Sequence, residues 1–376
     1  MIGTTPNRDT RDAGTRDAGH PSTPAVSLQG ISCAFGATRA VDNLDLELSG
    51  GEFFSLIGAS GCGKSTTLRM IAGLQQPTEG RIMIAGRDVT DLSPEKREVN
   101  TVFQHYALFP HLDVFENVAF GLRERRVAKT ELSRRVGEML DLVGLADRGR
   151  SKIRELSGGQ QQRVALGRSL ILEPAVLLLD EPLGALDLKL RRQMQLVLKQ
   201  VQSRVGITFL YVTHDQEEAF AMSDRVGVMD KGVLAQVGTP QDIYRRPASP
   251  FVADFVGASN RLGATLAGGG PDGYELVLDA DGRRLRAPGC PNLVQGSRVG
   301  IIVRPEAFRF GGGEGNELTG TLVDASFLGS QTVYTISVEQ CGDLTVAEGR
   351  PTSPMPAPGE QARIAFASED AWVVPA

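Results

Sequence analysis

Apolar and polar positions keep two rhythms along this chain. Val26-Ser-Leu-Gln-Gly-Ile31 and Leu44-Asp-Leu-Glu-Leu48 alternate, as strands with one buried face do. Arg81-Ile-Met-Ile-Ala85 reads as another strand, closed by Gly86. Phe53-Phe-Ser-Leu-Ile57, Ala175-Val-Leu-Leu-Leu179 and Ile207-Thr-Phe-Leu-Tyr-Val212 are apolar runs without clean alternation, the texture of strands covered on both faces. Between them lie helix-like stretches: Thr66 to Leu74, Val114 to Leu122, Lys129 to Val143, a segment N-capped by Ser157 that runs to about Leu172, and Leu188 to Val205. Strands alternating with helices predict a parallel α/β core. The helix-rich stretch, about 110–156, reads as an inserted subdomain. After about Ser259 helical periodicity fades into Gly, Pro and short alternating runs, which predicts a small all-β domain over 259–376. Within it Gly296-Ser-Arg-Val-Gly-Ile-Ile-Val-Arg-Pro-Glu306 echoes Gly359-Glu-Gln-Ala-Arg-Ile-Ala-Phe-Ala-Ser-Glu369. Two related β-units, or two unrelated strands that follow turns, account for the echo.

Composition adds exclusions. A chain of 376 residues with 41% hydrophobic and 23% charged residues is an ordinary globular protein of two or three domains. A net charge of −5 gives no support to non-specific nucleic-acid binding. No apolar stretch reaches the length of a membrane span, so membrane association is expected to come through partners. Four cysteines in so long a chain do not make a disulfide framework, which favours a reducing compartment. Residues 1–24 lack an apolar core and repeat Thr10-Arg-Asp-Ala-Gly14 as Thr15-Arg-Asp-Ala-Gly19; this segment is expected to be disordered.

The chemistry begins at Gly58, Ala59, Ser60, Gly61, Cys62, Gly63, Lys64, Ser65 and Thr66. The run fits G-x-x-x-x-G-K-[ST], follows an apolar strand and precedes a helix, the context a phosphate-binding loop requires. Its glycines let backbone N–H groups converge on an anion, and the helix start adds its positive end. Lys64 can reach the β- and γ-phosphates of ATP, and Ser65 can ligate Mg²⁺. Asp180 and Glu181 end a buried strand. There Asp180 can hold the metal and Glu181 can take a proton from attacking water, although an Asp-Glu pair taken alone is as readily a solvated turn.

Leu156-Ser157-Gly158-Gly159-Gln160-Gln161-Gln162-Arg163, placed before the Asp-Glu strand, carries a resemblance. Residues 26–258 resemble the ATP-binding-cassette ATPases, whose signature is LSGGQ. The resemblance implies a P-loop α/β ATPase domain over 25–258 with a helical subdomain. It implies that Phe35 stacks on adenine and that Gln104 contacts Mg²⁺ or water. The turn Leu183-Gly184-Ala185-Leu186-Asp187 would cross a dimer interface, with Asp187 beside nucleotide, and His214 would contact the γ-phosphate. Ser157, Gly158, Gly159 and Gln160 would face the nucleotide of the opposite subunit in a homodimer. His105 stands where close relatives carry serine; a neutral surface change is the simpler reading.

Val99 to His111, Val114 to Gly121, Leu190 to Gln195 and Gly206 to Glu218 are similar to the ATPases of spermidine/putrescine importers, and Val303-Arg-Pro-Glu306 resembles their OB-like accessory domain. The resemblance implies an ATP hydrolase on the cytoplasmic face of the membrane. It implies two permease subunits as direct partners and an extracytoplasmic solute-binding protein as an indirect one. Phe103, Tyr106, Leu108, Phe109 and Phe115 are apolar for a loop-rich region and suit either a permease-binding groove or a core. The same motor occurs in importers of ferric iron, phosphonates or sugars, so the solute stays open on the residues alone. One phosphate loop, one signature and no long heptad run speak against ribosome- or DNA-acting cassettes. The OB-like extension speaks against an exporter.

Overall fold

The structure, a computed structural model, describes residues 23–184, 186–311, 316–349 and 356–376. The repeat at 10–19 and Ala185 lie outside them. The chain opens with β1 (Val26–Phe35), β2 (Thr38–Leu48), β3 (Phe53–Gly58) and α1 (Lys64–Ala72). It continues through β4 (Glu79–Ile84), β5 (Arg87–Asp88), β6 (Val99–Val102), α2 (Val114–Glu124), α3 (Lys129–Leu142) and α4 (Gly158–Leu170). Then come β7 (Val176–Asp180), α5 (Leu188–Val205), β8 (Thr208–Val212), α6 (Gln216–Met222), β9 (Arg225–Asp230), β10 (Val233–Gly238), α7 (Pro240–Arg245) and α8 (Pro250–Phe255).

A sheet in the order β10-β9-β3-β8-β7-β6 forms the centre, parallel except at β10. Its apolar runs serve two cores, as the side-chain period of two requires. Phe53, Leu177, Leu179, Phe209 and Tyr211 pack with α2 to α5, while Phe54, Leu56, Leu178, Leu210 and Val212 pack with α1 and an antiparallel sheet. That second sheet runs β2-β1-β4-β5. It was legible as strands but not as a separate layer. Its first two strands are longer than the alternation suggests because they form a hairpin closed at Phe35↔Thr38. α2 starts on a reciprocal cap: Asp113 accepts from the Glu116 N–H at 2.8 Å, and Glu116 accepts from the Asp113 N–H at 3.0 Å.

From Asn260 the chain is β: β11 (Asn260–Gly270), β12 (Gly273–Leu278), β13 (Arg284–Ala287), β14 (Arg298–Val303), β15 (Arg309–Phe310), β16 (Asn316–Phe327), β17 (Thr332–Val338), β18 (Gly342–Glu348), β19 (Gln361–Phe366) and β20 (Ala371–Pro375). The two sheets, β13-β12-β11-β14-β20 and β18-β17-β16-β19-β15, repeat one plan. The echoed segments are β14 and β19, each followed by a single 3₁₀ turn. Each half gives its last strand away: β15 pairs with β19 and β20 with β14. Leu276, Ile301, Ile336 and Ile364 from both sheets share one core.

Arg304 fastens this β module to the ATPase side. Its guanidinium is buried, lies 4.2 Å from the Tyr244 ring centre, and donates to the carbonyls of Tyr244, Ala253, Gly257 and Ala258. Trp372 donates its indole N–H to Pro247 at 3.1 Å across the same seam. Arg304→Leu strands those carbonyls and is expected to cost about 2–4 kcal/mol. Trp372 is the only tryptophan in the sequence, so its fluorescence reports the seam. The variant's emission should shift at lower denaturant than the parent's; an unchanged midpoint would count against Arg304 as the fastening.

Candidate functional site

Strand order builds the site. β8 lies between β3 and β7, and all three run parallel. Their C-terminal ends therefore bring the 58–66 loop, the Asp180-Glu181 pair and His214 to one edge of the sheet. A cavity of about 500 Å³ opens there, lined by Ser60, Gly61, Gly63, Lys64, Ser65, Thr66, Glu181 and His214.

The helix begins at Lys64, two residues earlier than its periodicity suggests, because Gly63 caps it with a left-handed φ of 107°. A Cβ on Gly63 would stand 2.4 Å from the Ala40 carbonyl, and one on Gly58 would stand 2.4 Å from the Met229 carbonyl. These glycines are required by close backbone approach as well as by the turn. Cys62 is buried behind the loop, where its carbonyl accepts from the Gly232 N–H at 3.0 Å. Lys64 is buried too; its Nζ donates to the carbonyls of Gly58 at 2.8 Å and Ala59 at 3.0 Å. The ammonium is thus held over the loop by neutral acceptors, with no carboxylate to surrender when an anion arrives.

Ser65 Oγ donates to Asp180 Oδ1 at 3.0 Å, which sets a second hard oxygen donor directly behind the cavity-lining serine. No cluster of three or more His, Cys, Asp or Glu among the described residues forms a self-contained metal site. A cation here would need the hydroxyl, the carboxylate and ligand oxygens together, a donor set suited to Mg²⁺. Glu181 takes a left-handed φ of 45°, a conformation that costs a non-glycine residue about 1–3 kcal/mol. Its N–H is held by the Val212 carbonyl at 3.0 Å. That pose sets its Oε2 3.4 Å from His214 Nδ1.

Other expected residues stand apart from this cavity. Gln104 follows β6, and its Nε2 is 3.6 Å from where a Cβ on Gly184 would lie. Phe35 ends β1 and is 53% exposed. Ser157 and Gln160 cap α4 reciprocally, but Ser157 to Gln160 do not line the cavity of their own chain. Their glycines have a local duty: a Cβ on Gly158 would meet Leu186 at 3.2 Å and one on Gly159 would meet Leu190 at 2.8 Å. Asp187 N-caps α5, accepting from the Leu190 N–H at 2.9 Å. In the apolar 103–115 stretch, Tyr106 is core, Leu108 and Phe115 pack against it, and Phe103 is exposed.

Sequence reasoning missed a network behind His214. Glu218 is 3% exposed and accepts from the Tyr211 hydroxyl and from the Thr213 hydroxyl at 2.8 Å. The Thr213 hydroxyl in turn accepts from the Asp215 N–H at 3.0 Å. Arg191 meets Asp215 Oδ2 at 3.1 Å and Glu218 Oε1 at 3.5 Å. Burial pushes the Glu218 carboxyl above the usual range, against the pull of its hydroxyl donors. The spacing of Thr213, Asp215 and Glu218 was visible; their dependence on an arginine 24 residues before Asp215 was not.

A phosphate loop whose serine is hydrogen-bonded to the carboxylate ending a neighbouring strand, an adjacent glutamate and a facing histidine define a P-loop ATPase. The ABC transporter family model matches residues 41–184, and that of the TOBE domain residues 301–374. The Spermidine/putrescine import ATP-binding protein PotA of Rubrobacter xylanophilus is 53% identical over 90% of this chain and 89% of its own. That of Frankia alni is 54% identical over 88% of this chain and 74% of its own. The solved structure of cbiO1 from Clostridium perfringens, described as part of the ABC transporter complex cbiONQ, superposes with a TM-score of 0.56 at 27% identity, over 62% of this chain and 93% of that one. The chain belongs to the ABC transporter ATP-binding subunits of the spermidine/putrescine importer type.

The glycines make a test. Gly61→Ala and Gly63→Ala both strain a left-handed φ, but a Cβ on Gly61 meets open space. Gly63→Ala is expected to weaken ATP binding by at least about tenfold, ~1.4 kcal/mol, and Gly61→Ala by less. Titration with a fluorescent ATP analogue checks the order; equal losses would remove the role given to the Ala40 contact.

Proposed function

We propose that this chain binds and hydrolyses ATP to drive the import of spermidine and putrescine through two separate permease subunits. The observation that carries the ATPase half is the convergence of Lys64, Ser65, Glu181 and His214 on one cavity, with Asp180 hydrogen-bonded to Ser65. The identity to polyamine import ATPases carries the solute. The division of labour is 25–258 as the motor, with its helical part at about 110–156, and 259–376 as the accessory domain.

ATP would lie with its phosphates on the N–H groups of Gly58 to Thr66 and its adenine on Phe35. Lys64 turns from the loop carbonyls to the β- and γ-phosphates. Ser65 and Asp180, with Gln104 nearby, would hold Mg²⁺, which when bound neutralises phosphate charge. Glu181 takes a proton from the attacking water, and His214 orients the γ-phosphate. Ser157 to Gln160 open a helix of 13 residues outside the cavity of their own chain, which supports a head-to-tail homodimer in which each signature, with Asp187, completes the partner's site. No helix among the described residues is long and apolar enough to cross a membrane. We place the subunit on the cytoplasmic face, gripped at the 104–121 surface, where Phe120 and the adjoining Phe103 are exposed. A binding protein outside the membrane would deliver the solute.

Glu181→Gln is expected to retain ATP, lower hydrolysis by about a hundredfold or more, and accumulate a nucleotide-bound dimer on gel filtration. Near-parental turnover would remove Glu181 as the base. Cells carrying this chain with its permeases and binding protein should take up labelled spermidine and putrescine, and Glu181→Gln should abolish it. Uptake of ferric iron, a phosphonate or maltose instead would keep the motor and overturn the solute.

A further inference from the structure

The turn at Leu186-Asp187 and the loop that bears His214 meet at one side chain. Arg191 lies in the first turn of α5, its N–H held by the Asp187 carbonyl at 2.8 Å. Its guanidinium divides three ways: Nη2 donates to the Leu186 carbonyl at 3.2 Å, Nη1 to Asp215 Oδ2 at 3.1 Å, and Nε faces Glu218 Oε1 at 3.5 Å. Thr213 and Asp215 flank His214, and the hydroxyl of one accepts from the N–H of the other. Glu218 holds that same hydroxyl from below. The His214 ring is 65% exposed, with Glu181 as its charged neighbour, so the ring's place is set by the backbone on either side.

We propose that Arg191 is a positioning residue for ATP hydrolysis, tying the peptides around His214 to the Leu186 carbonyl so that the Leu186-Asp187 segment and the histidine move as one piece. It makes any displacement of the turn, on nucleotide or on a second subunit, a displacement of His214 in the same chain. The charge pattern agrees. Two carboxylates converge on one guanidinium, and one of them is buried; without Arg191 they would face each other uncompensated and the loop would lose its register.

The inference rests on His214 acting on the phosphate, and the experiment separates the two. Single-turnover hydrolysis and ATP affinity are measured on the full chain for the parent, Arg191→Ala, His214→Ala and the double variant. Arg191→Ala should slow hydrolysis about ten- to a hundredfold with ATP affinity within about twofold of the parent. The double variant should be no more than about threefold slower than His214→Ala, because Arg191 acts through that histidine. Losses that multiply, a loss confined to affinity, or an unaltered rate in Arg191→Ala would overturn the proposal. A parental rate in His214→Ala would remove the reading beneath it. Should Arg191→Ala fail to fold, Arg191→Lys enters the same cycle: it keeps the charge but cannot hold both the Leu186 carbonyl and Asp215 in the fork of a guanidinium.

Discussion

The nucleotide end of this protein depends on β8 lying between β3 and β7. Segments more than 100 residues apart in sequence become neighbours because parallel pairing forces their C-terminal ends to the same edge. Ser65 and Asp180, 115 positions apart, then reach hydrogen-bond distance. Parallel strands need covered faces, and both the helical layer and the antiparallel sheet with α1 supply that cover. The apolar cores therefore aim polar groups that they never touch.

At this edge the chain accepts local cost for placement. Glu181 sits in a left-handed conformation, Lys64 is buried on carbonyls, and Glu218 is a buried acid. Each is compensated by a specific partner: the Val212 carbonyl, the loop carbonyls of Gly58 and Ala59, and the Tyr211 and Thr213 hydroxyls. Such groups form a frame satisfied by fixed backbone and hydroxyl partners, with Lys64 and Glu181 lining the cavity, which is what a site that must bind an anion and then act on it requires.

Much of this was legible before any coordinate. The runs at 175–179 and 207–212 announce strands covered on both faces, and Ser157 announces a helix start, because these depend on neighbours within a few residues. The phosphate loop is readable for the same reason. Strand order, the separate β2-β1-β4-β5 layer and the exchange between β15 and β20 were not, since pairing between distant segments leaves no local mark. Arg191 and Arg304 lie in segments that carry the resemblance, but their structural duties were not legible because an arginine in a helix or after a strand looks like solvated surface until its acceptors arrive from elsewhere. Ser157 to Gln160 were found by motif, yet a single chain does not bring them to the cavity. The glycines at 158 and 159 also answer to Leu186 and Leu190, a packing duty that the motif hides.

The exchanged strands of the β module carry a consequence for how it can be inherited. Because β20 completes the first sheet and β15 completes the second, neither half is a finished object, although each repeats the other's plan. The halves share a plan, yet the module is indivisible. Loss of the last few residues removes a strand from the sheet that begins at Asn260, while the sheet encoded beside the break keeps all its strand pairings and loses only core contacts. Evolution can vary the loops of either half, but it can delete the module only as a whole.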